Sequence, residues 1–328
     1  MPNILNYEQY RLANGLEVSL YNRGYPSRTV SADFLVKSGD LYAKPGIAHL
    51  LEHLIMEQSL IPETAKESRK IAPVTITPIT GEEYIYFHVA LQELTYLENF
   101  LRFISRNIFE FQPKVEFLDQ AKSDVLRQIE EIESDDEINL NHRLLQELYL
   151  QTPIRYSVYG DPQTVKEAGI EDVATLYCNR FKPRNMKIII TGKLGNFDPT
   201  TDLVARHLER YGLYQEDVPE EHLPLEPPRS YGKFVEESIN SEEGMLVLGH
   251  RVPNVYHPDF SASRILSFLL SDSYKFALKG RLKPVTVSGQ YHQALEEAWM
   301  KVGSKFEPNK AYTVLNSVFG EYARVQRG

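Results

Sequence analysis

Two histidines and a glutamate lie within one helical turn of each other, in the HLLEH run of the stretch PGIAHLLEHLIMEQ. On a helix, residues four apart share one face with Cβ atoms about 6 Å apart, so His49 and His53 can direct both imidazoles at one metal ion. Imidazole nitrogens are common zinc ligands. Glu52 lies beside that face, where it can take a proton from water that the metal has made acidic. The motif therefore predicts half of a zinc site together with its general base.

The alternative is an ordinary amphipathic helix whose histidines are exposed or cap neighbouring groups. The H-x-x-E-H pattern is short, and a chain with 9 histidines matches it by chance often enough to matter. The motif by itself therefore favours a metal site only modestly.

Composition narrows the class of protein. A chain of 328 residues, 42% of them apolar and 25% charged, is expected to fold into two soluble globular domains. The net charge of −9 and the lack of a basic cluster argue against nucleic acid or an anionic membrane as partner. One cysteine, Cys178, excludes an internal disulfide framework. No apolar run reaches the roughly 20 residues that span a bilayer, and no secretory signal is evident, so the predicted location is cytoplasmic.

The order of the elements predicts an α+β protein. Alternating residues on both sides of Asn14-Gly15 predict a β-hairpin, and EYIYFHVAL (83–91) predicts a further strand. Helical periodicity dominates from there to residue 181, followed by a short buried strand in NMKIIITGKL. Residues 214–230 are rich in proline and acid and predict an exposed linker. The predicted organisation is therefore a domain at 1–213, a linker at 214–230 and a second domain at 231–328.

The second domain repeats the first in part. Residues 244–270 follow the order of residues 29–55, a strand, a loop with proline and an apolar helix, but without the His-Glu-His residues. Fewer than 100 residues follow the linker, against about 213 in the first domain. The second domain is therefore expected to be a partial copy, or the chain a fragment.

Three separate segments resemble one family. GIAHLLEHLIM, PIRYSVYG (153–160) and LYCNRFKPRNMKIIITGKLG (176–195) are similar to stretches of the pitrilysin/insulinase family of zinc metallopeptidases, nearest its processing-peptidase branch. The resemblance extends over roughly residues 10–270. It implies an α+β fold of two related units, each an antiparallel sheet with helices packed on one face, with the second unit incomplete here.

The resemblance also implies zinc as cofactor, held by His49, His53 and a glutamate on a downstream helix. Counting back from LLQELY places Gln128 at the third position, whereas counting forward from His53 gives Glu130. A neutral glutamine is a poor zinc ligand beside a carboxylate, and Glu131, about one turn further, could replace it. Glu52 would be the general base.

The family binds an extended peptide along an edge strand, which corresponds here to TPIT (77–80). Of that stretch only Thr80 matches the family pattern, and Pro78 removes one N–H donor from the edge.

The second domain of such enzymes supplies an arginine and a tyrosine that grip the substrate. Arg281 is the candidate arginine in this chain. The tyrosine position holds Ser288 or Thr286, and Tyr291 lies nearby.

The predicted function is that of a zinc-dependent endopeptidase that acts on extended peptides. A catalytically silent homologue, serving as structural partner of a heteromeric peptidase, is the alternative, and an interaction domain without metal is the third. The last helix carries a predicted apolar stripe that needs cover, so the chain is expected to form a homo- or hetero-oligomer through residues 244–328. The stripe consists of Ala311, Leu315, Val318 and Tyr322.

Overall fold

The computed structural model describes residues 6–23, 28–59, 75–212, 218, 224, 226–227, 235, 243–266, 268–269, 286–293 and 298–326. The chain consists of two compact units, residues 1–131 with 157–222 and residues 132–156 with 223–328. Residues 132–156 thus belong to the second unit, although in sequence they lie between the two parts of the first. No helix of the described residues is long and apolar enough to cross a membrane.

The first unit contains a six-stranded sheet in the order β1-β2-β6-β3-β5-β4. Its strands are β1 (Asn6–Arg11), β2 (Glu17–Asn22), β3 (Val30–Val36), β4 (Ile76–Thr80), β5 (Ile85–Leu91) and β6 (Met186–Gly192). Alternate residues of β3, β5 and β6 are buried while their neighbours are partly exposed. One face of the sheet therefore packs into the core and the other does not.

The α+β class is confirmed, but the sheet is mixed rather than antiparallel. Strand β2 pairs in parallel with β6, with Leu20 opposite Ile190. Three strands and several helices separate β2 from β6 in sequence, and the helical connection from β5 to β6 returns the chain so that β6 runs in the same direction as β2. The Asn14-Gly15 hairpin forms as predicted, with Gly15 at φ 90°.

Six helices accompany the sheet within the described part of the first unit. They are α1 (Ile47–Ser59), α2 (Leu97–Ile104), α3 (Leu118–Glu133, whose last two residues belong to the second unit), α5 (Pro162–Glu167), α6 (Ile170–Arg180) and α7 (Asp198–Leu208). Apolar residues of these helices join the buried strand residues in one core, among them Leu50, Leu54, Phe100 and Val125.

The second unit contains α4 (Asp136–Leu148), α8 (Ala311–Gln326) and a three-stranded antiparallel sheet. The sheet has the order β7-β9-β8, with β7 (Gly244–Val252), β8 (Thr286–Gln293) and β9 (Ala298–Phe306). Helix α4 packs on β7, and the Leu144 side chain lies over Gly249. On α8, Val318 of the apolar stripe predicted to need a partner is buried, as is the neighbouring Val314, so one of the four predicted positions is already covered.

Glu226, one of the few described residues of the predicted linker, is bound to the backbone of the second unit. The Glu226 carboxylate is 4% exposed and accepts hydrogen bonds from the backbone N–H groups of three consecutive residues, Leu150, Gln151 and Thr152. These donors favour the charged carboxylate and lower its pKa despite the opposing effect of burial. Glu226 is thus tied to residues 150–152 of its own unit.

Candidate metal and catalytic site

Helix α1 carries the HLLEH motif and begins directly after Pro45-Gly46. Gly46 has φ 91°, a conformation that favours glycine, and its N–H donates to Asp40 Oδ1 over 2.8 Å. Leu50, Leu51 and Leu54 are completely buried in the core. The core therefore sets the rotation of the helix, and with it the direction of the motif.

His49 is 4% exposed, and its Nδ1 lies 3.0 Å from the carbonyl oxygen of Tyr159. A carbonyl oxygen can only accept, so Nδ1 carries the proton of the neutral ring and Nε2 keeps its lone pair. Burial lowers the pKa of His49, although the bond to Tyr159 opposes that shift. The imidazole is therefore neutral near pH 7, which is the form that binds metals.

The second imidazole lies beside the first. The ring centroids of His49 and His53 are 4.8 Å apart, with an angle of 72° between the planes. Burial, followed by the proximity of His49, lowers the pKa of His53 to about 4. The structure therefore places two neutral imidazoles side by side, as the spacing predicts.

Glu52 is 6% exposed, and its Oε2 accepts a hydrogen bond of 2.9 Å from the hydroxyl of Thr80. Burial raises the pKa of Glu52 to about 7, and the Thr80 bond opposes that rise. A carboxyl group that titrates near neutrality is suited to general acid–base catalysis. Burying a carboxylate is also unfavourable by several kcal/mol, so a purely structural helix gains nothing from one at this position.

For the third ligand, the two counts along the sequence predicted different residues, Gln128 and Glu130. The side chain of Gln128, on α3, lies close enough to His49 and His53 to raise the pKa of each, against the larger lowering by burial. Glu131 instead accepts from Arg127 Nη1 at 3.1 Å, and its side chain is 62% exposed. Glu130 is exposed as well. The structure thus brings Gln128, and neither of the glutamates, to the histidines.

Among the described residues, no three side chains of His, Cys, Asp or Glu converge in a way that could hold a metal ion. The donors available at the motif are two imidazole nitrogens and the amide oxygen of Gln128. These are donors that zinc accepts, but such a set would hold the ion more weakly than one whose third ligand is a carboxylate, because the amide brings no charge to offset that of the ion.

Of the two predicted substrate-binding residues, Thr80 and Arg281, the structure describes only Thr80. Thr80 ends the edge strand β4 and contacts Glu52, so it joins that strand to the motif. Arg281 lies outside the described residues. The backbone of β8 includes the alternative positions Thr286, Ser288 and Tyr291, whose side chains are not described.

Sequence reasoning missed the contributions of Tyr159 and Asp40. The carbonyl of Tyr159 orients His49, and the carboxyl of Asp40 binds the turn before α1. A main-chain carbonyl leaves no mark in residue type, so only Gly160, directly after Tyr159 in PIRYSVYG, could have signalled it. Asp40 follows the end of a predicted strand. An acidic residue at such a position indicates a turn and no more, so its contact with Gly46 could not be predicted.

Neither a family model nor a curated protein sequence matches the chain. Solved structures do. A protease from Helicobacter pylori is similar over 99% of this chain and 80% of its own, with a TM-score of 0.86 and 19% identity. The inactive domain of an M16 peptidase from Pseudomonas fluorescens is similar over 98% of this chain and 80% of its own, with a TM-score of 0.79 and 12% identity.

A third similar structure contains a second protein. It is a ferredoxin protease in complex with Arabidopsis ferredoxin, with a TM-score of 0.74 and 15% identity over 99% of this chain and 38% of that one. At these identities the likeness concerns the fold and not the activity. The chain has the fold of the M16-like peptidases.

Proposed function

We propose that this protein is a zinc-dependent endopeptidase that hydrolyses extended peptides. The observation that carries the proposal is the buried carboxyl of Glu52, which lies beside two neutral imidazoles and titrates near neutrality. Such a group is unfavourable in a scaffold, whereas hydrolysis requires it. The fold shared with M16-like peptidases supports the same class of reaction.

The roles follow from the positions of the side chains. His49 and His53 would hold the zinc ion through nitrogen, with the amide oxygen of Gln128 as a weaker third donor. Bound zinc would supply a Lewis acid that makes water acidic and polarises a carbonyl group. The Glu52 carboxylate takes the proton of the attacking water and passes it to the leaving nitrogen. Thr80 binds Oε2 of Glu52 and so leaves Oε1 for that transfer.

The peptide would lie along β4, which ends at Thr80 and is one of the two edge strands of the sheet among the described residues, β1 being the other. An edge strand offers backbone donors and acceptors to an added strand, so the substrate must be extended and unfolded locally. The ferredoxin complex of a similar structure is a precedent for a protein as the bound partner.

The test is cleavage of a library of fluorescence-quenched peptides by the zinc-loaded protein. Chelation should abolish cleavage, and zinc should restore it. Cleavage that persists in the Glu52→Gln variant would show that the activity belongs to a contaminating peptidase.

The presence of Gln128 at the third ligand position supports a second candidate function. The protein would then be a catalytically silent homologue that serves as the structural partner of another peptidase. A neutral side chain at the third position weakens zinc binding, and an inactive M16 domain shares the fold. If Gln128→Glu gains cleavage while the zinc-saturated wild type has none, this second function is favoured over the first.

We also propose association through residues 244–328. Large apolar side chains of this region are exposed, with Ile265 at 61%, Phe268 at 65% and Leu269 at 57%. Exposed apolar groups this close in sequence are typical of a contact surface for another chain.

A further inference from the structure

A backbone contact remote from the motif in sequence determines which nitrogen of His49 is free. The Tyr159 carbonyl binds Nδ1 of His49, and the Tyr159 ring meets the His49 ring edge to face at 5.6 Å. If this carbonyl moved away, the ring could carry its proton on Nε2 instead, and Nε2 would lose the lone pair that a metal ion requires. The position of one main-chain carbonyl therefore controls the donor atom of the site.

Gly160 determines that position, because it follows Tyr159 and contacts the turn before α1. Gly160 has φ 107°, and a Cβ atom built on it would lie 2.4 Å from the Cα of Gly46. A Cβ atom on Gly46 would lie 2.9 Å from the Cα of Gly160. Real Cβ atoms do not approach other atoms so closely, so the two segments can meet only where both residues are glycine.

Both segments are fixed by hydrogen bonds on their far sides. Asp40 binds the N–H of Gly46, and Asp161 caps α5 by accepting from the N–H of Thr164 at 2.7 Å. The hydroxyl of Ser157 accepts from the N–H of Tyr159 at 3.2 Å. A shift at the glycine contact would therefore move the Tyr159 carbonyl relative to His49 and would not be absorbed by a loose loop.

We propose that the contact between Gly46 and Gly160 is a positioning element that holds the Tyr159 carbonyl on Nδ1 of His49 and so keeps Nε2 free for the metal. The role in metal binding rests on the proposed function, whereas the effect of the contact on the proton position of His49 does not. Gly160 is accordingly a positioning residue that acts through Tyr159. Outer-shell partners of this kind typically change metal affinity by about 10–100-fold.

The experiment measures the His49 tautomer in the full-length, metal-free protein by long-range ¹H–¹⁵N correlation of imidazole nitrogens at neutral pH, with His49→Gln to assign the signal. Wild type should show the proton on Nδ1. Gly160→Ala should shift His49 toward the Nε2-protonated form and weaken zinc binding about tenfold or more. Gly195→Ala is the matched control, because Gly195 also has a left-handed φ of 68° but a Cβ atom there would meet nothing within 4 Å.

Two results would overturn the proposal. One is a wild-type His49 protonated on Nε2, and the other is a folded Gly160→Ala variant with unchanged tautomer and zinc affinity. If Gly160→Ala does not fold, Ser157→Ala provides the second variant, since it releases the Tyr159 N–H and should shift the tautomer in the same direction. A wild-type tautomer as proposed, in a protein that cleaves no peptide, would refute the peptidase function and leave this positioning role standing.

Discussion

The Thr80 hydroxyl donates a 2.9 Å hydrogen bond to Glu52 and thereby joins the end of the edge strand to the centre of helix α1. The two residues are 28 positions apart, and the segment between them includes residues that the structure does not describe. A peptide added to β4 would consequently pass close to the carboxyl group that titrates near neutrality. The Thr80 side chain thus links the strand proposed to bind peptide to the carboxyl group proposed as the base.

The histidine pair should bind one zinc ion per chain. His49→Ala or His53→Ala should abolish stoichiometric zinc, because either change removes one of only two nitrogen donors. Zinc content after incubation and gel filtration is the measurement. His257→Ala, at a half-exposed histidine of the second unit, is the control and should retain the ion. A wild type that holds less than about a tenth of an equivalent would show that the motif is vestigial.

Removing the base should separate binding from chemistry. Glu52→Gln should retain zinc but reduce peptide cleavage by about 10²–10⁴-fold, since the amide cannot take a proton from water. The control is Glu57→Gln on the same helix, where the side chain is only partly buried. Initial rates on one quenched peptide compare the three proteins at equal zinc content. Equal rates for wild type and Glu52→Gln would remove Glu52 from the mechanism.

The third ligand position should respond to charge. Gln128→Glu should tighten zinc by about tenfold or more, because it places an anionic oxygen beside both histidines. Glu131→Ala should leave the affinity unchanged, since that side chain is exposed and paired with Arg127. Competition with a zinc indicator gives both dissociation constants. If only Glu131→Ala weakens binding, Glu131 rather than Gln128 is the ligand.

Asp40 should make the protein less stable as the pH rises. Burial raises its pKa from 3.8 to about 7, so the folded state retains a proton that the unfolded state has lost between these values. The stabilisation is complete below about pH 4 and is lost as the pH rises through 7. Asp40→Asn keeps an acceptor for Gly46 and should be more stable than wild type above pH 7 by about 1–3 kcal/mol.

Urea unfolding at a series of pH values measures this difference. Asp172→Asn is a control of opposite sign, because hydrogen bonding by the Gly169 N–H and by Lys44 lowers the pKa of Asp172. The Asp172→Asn variant should be less stable than wild type at pH values above the normal pKa range of an aspartate. Parallel pH profiles for wild type and Asp40→Asn would contradict the assignment.

The exposed apolar residues of the second unit should make the chain associate. Light scattering at micromolar concentration should give a mass above the 37.8 kDa of one chain, or a monomer that binds a partner. Replacing Phe268 and Leu269 together by serine should reduce self-association, because both side chains are more than half exposed. A monodisperse monomer whose second unit resists protease as well as the first would refute the proposed contact.

The sequence by itself was sufficient for features that depend on local pattern. The spacing of His49 and His53 implies a shared helix face, Asn14-Gly15 implies a hairpin, and alternation in 83–91 implies a strand with one buried side. Each of these follows from the geometry of a helix or strand and needs no distant contact. The α+β class followed from the same patterns together with the resemblance.

Only the tertiary structure decided which side chain approaches the histidines and which backbone group orients them. Gln128 and Glu131 lie on the same helix, yet the fold brings the first near the motif and leaves the second paired with Arg127 and largely exposed. The Tyr159 carbonyl is 110 residues from His49. Such contacts depend on how elements pack, because residue type and spacing carry no information about main-chain groups that meet across the fold.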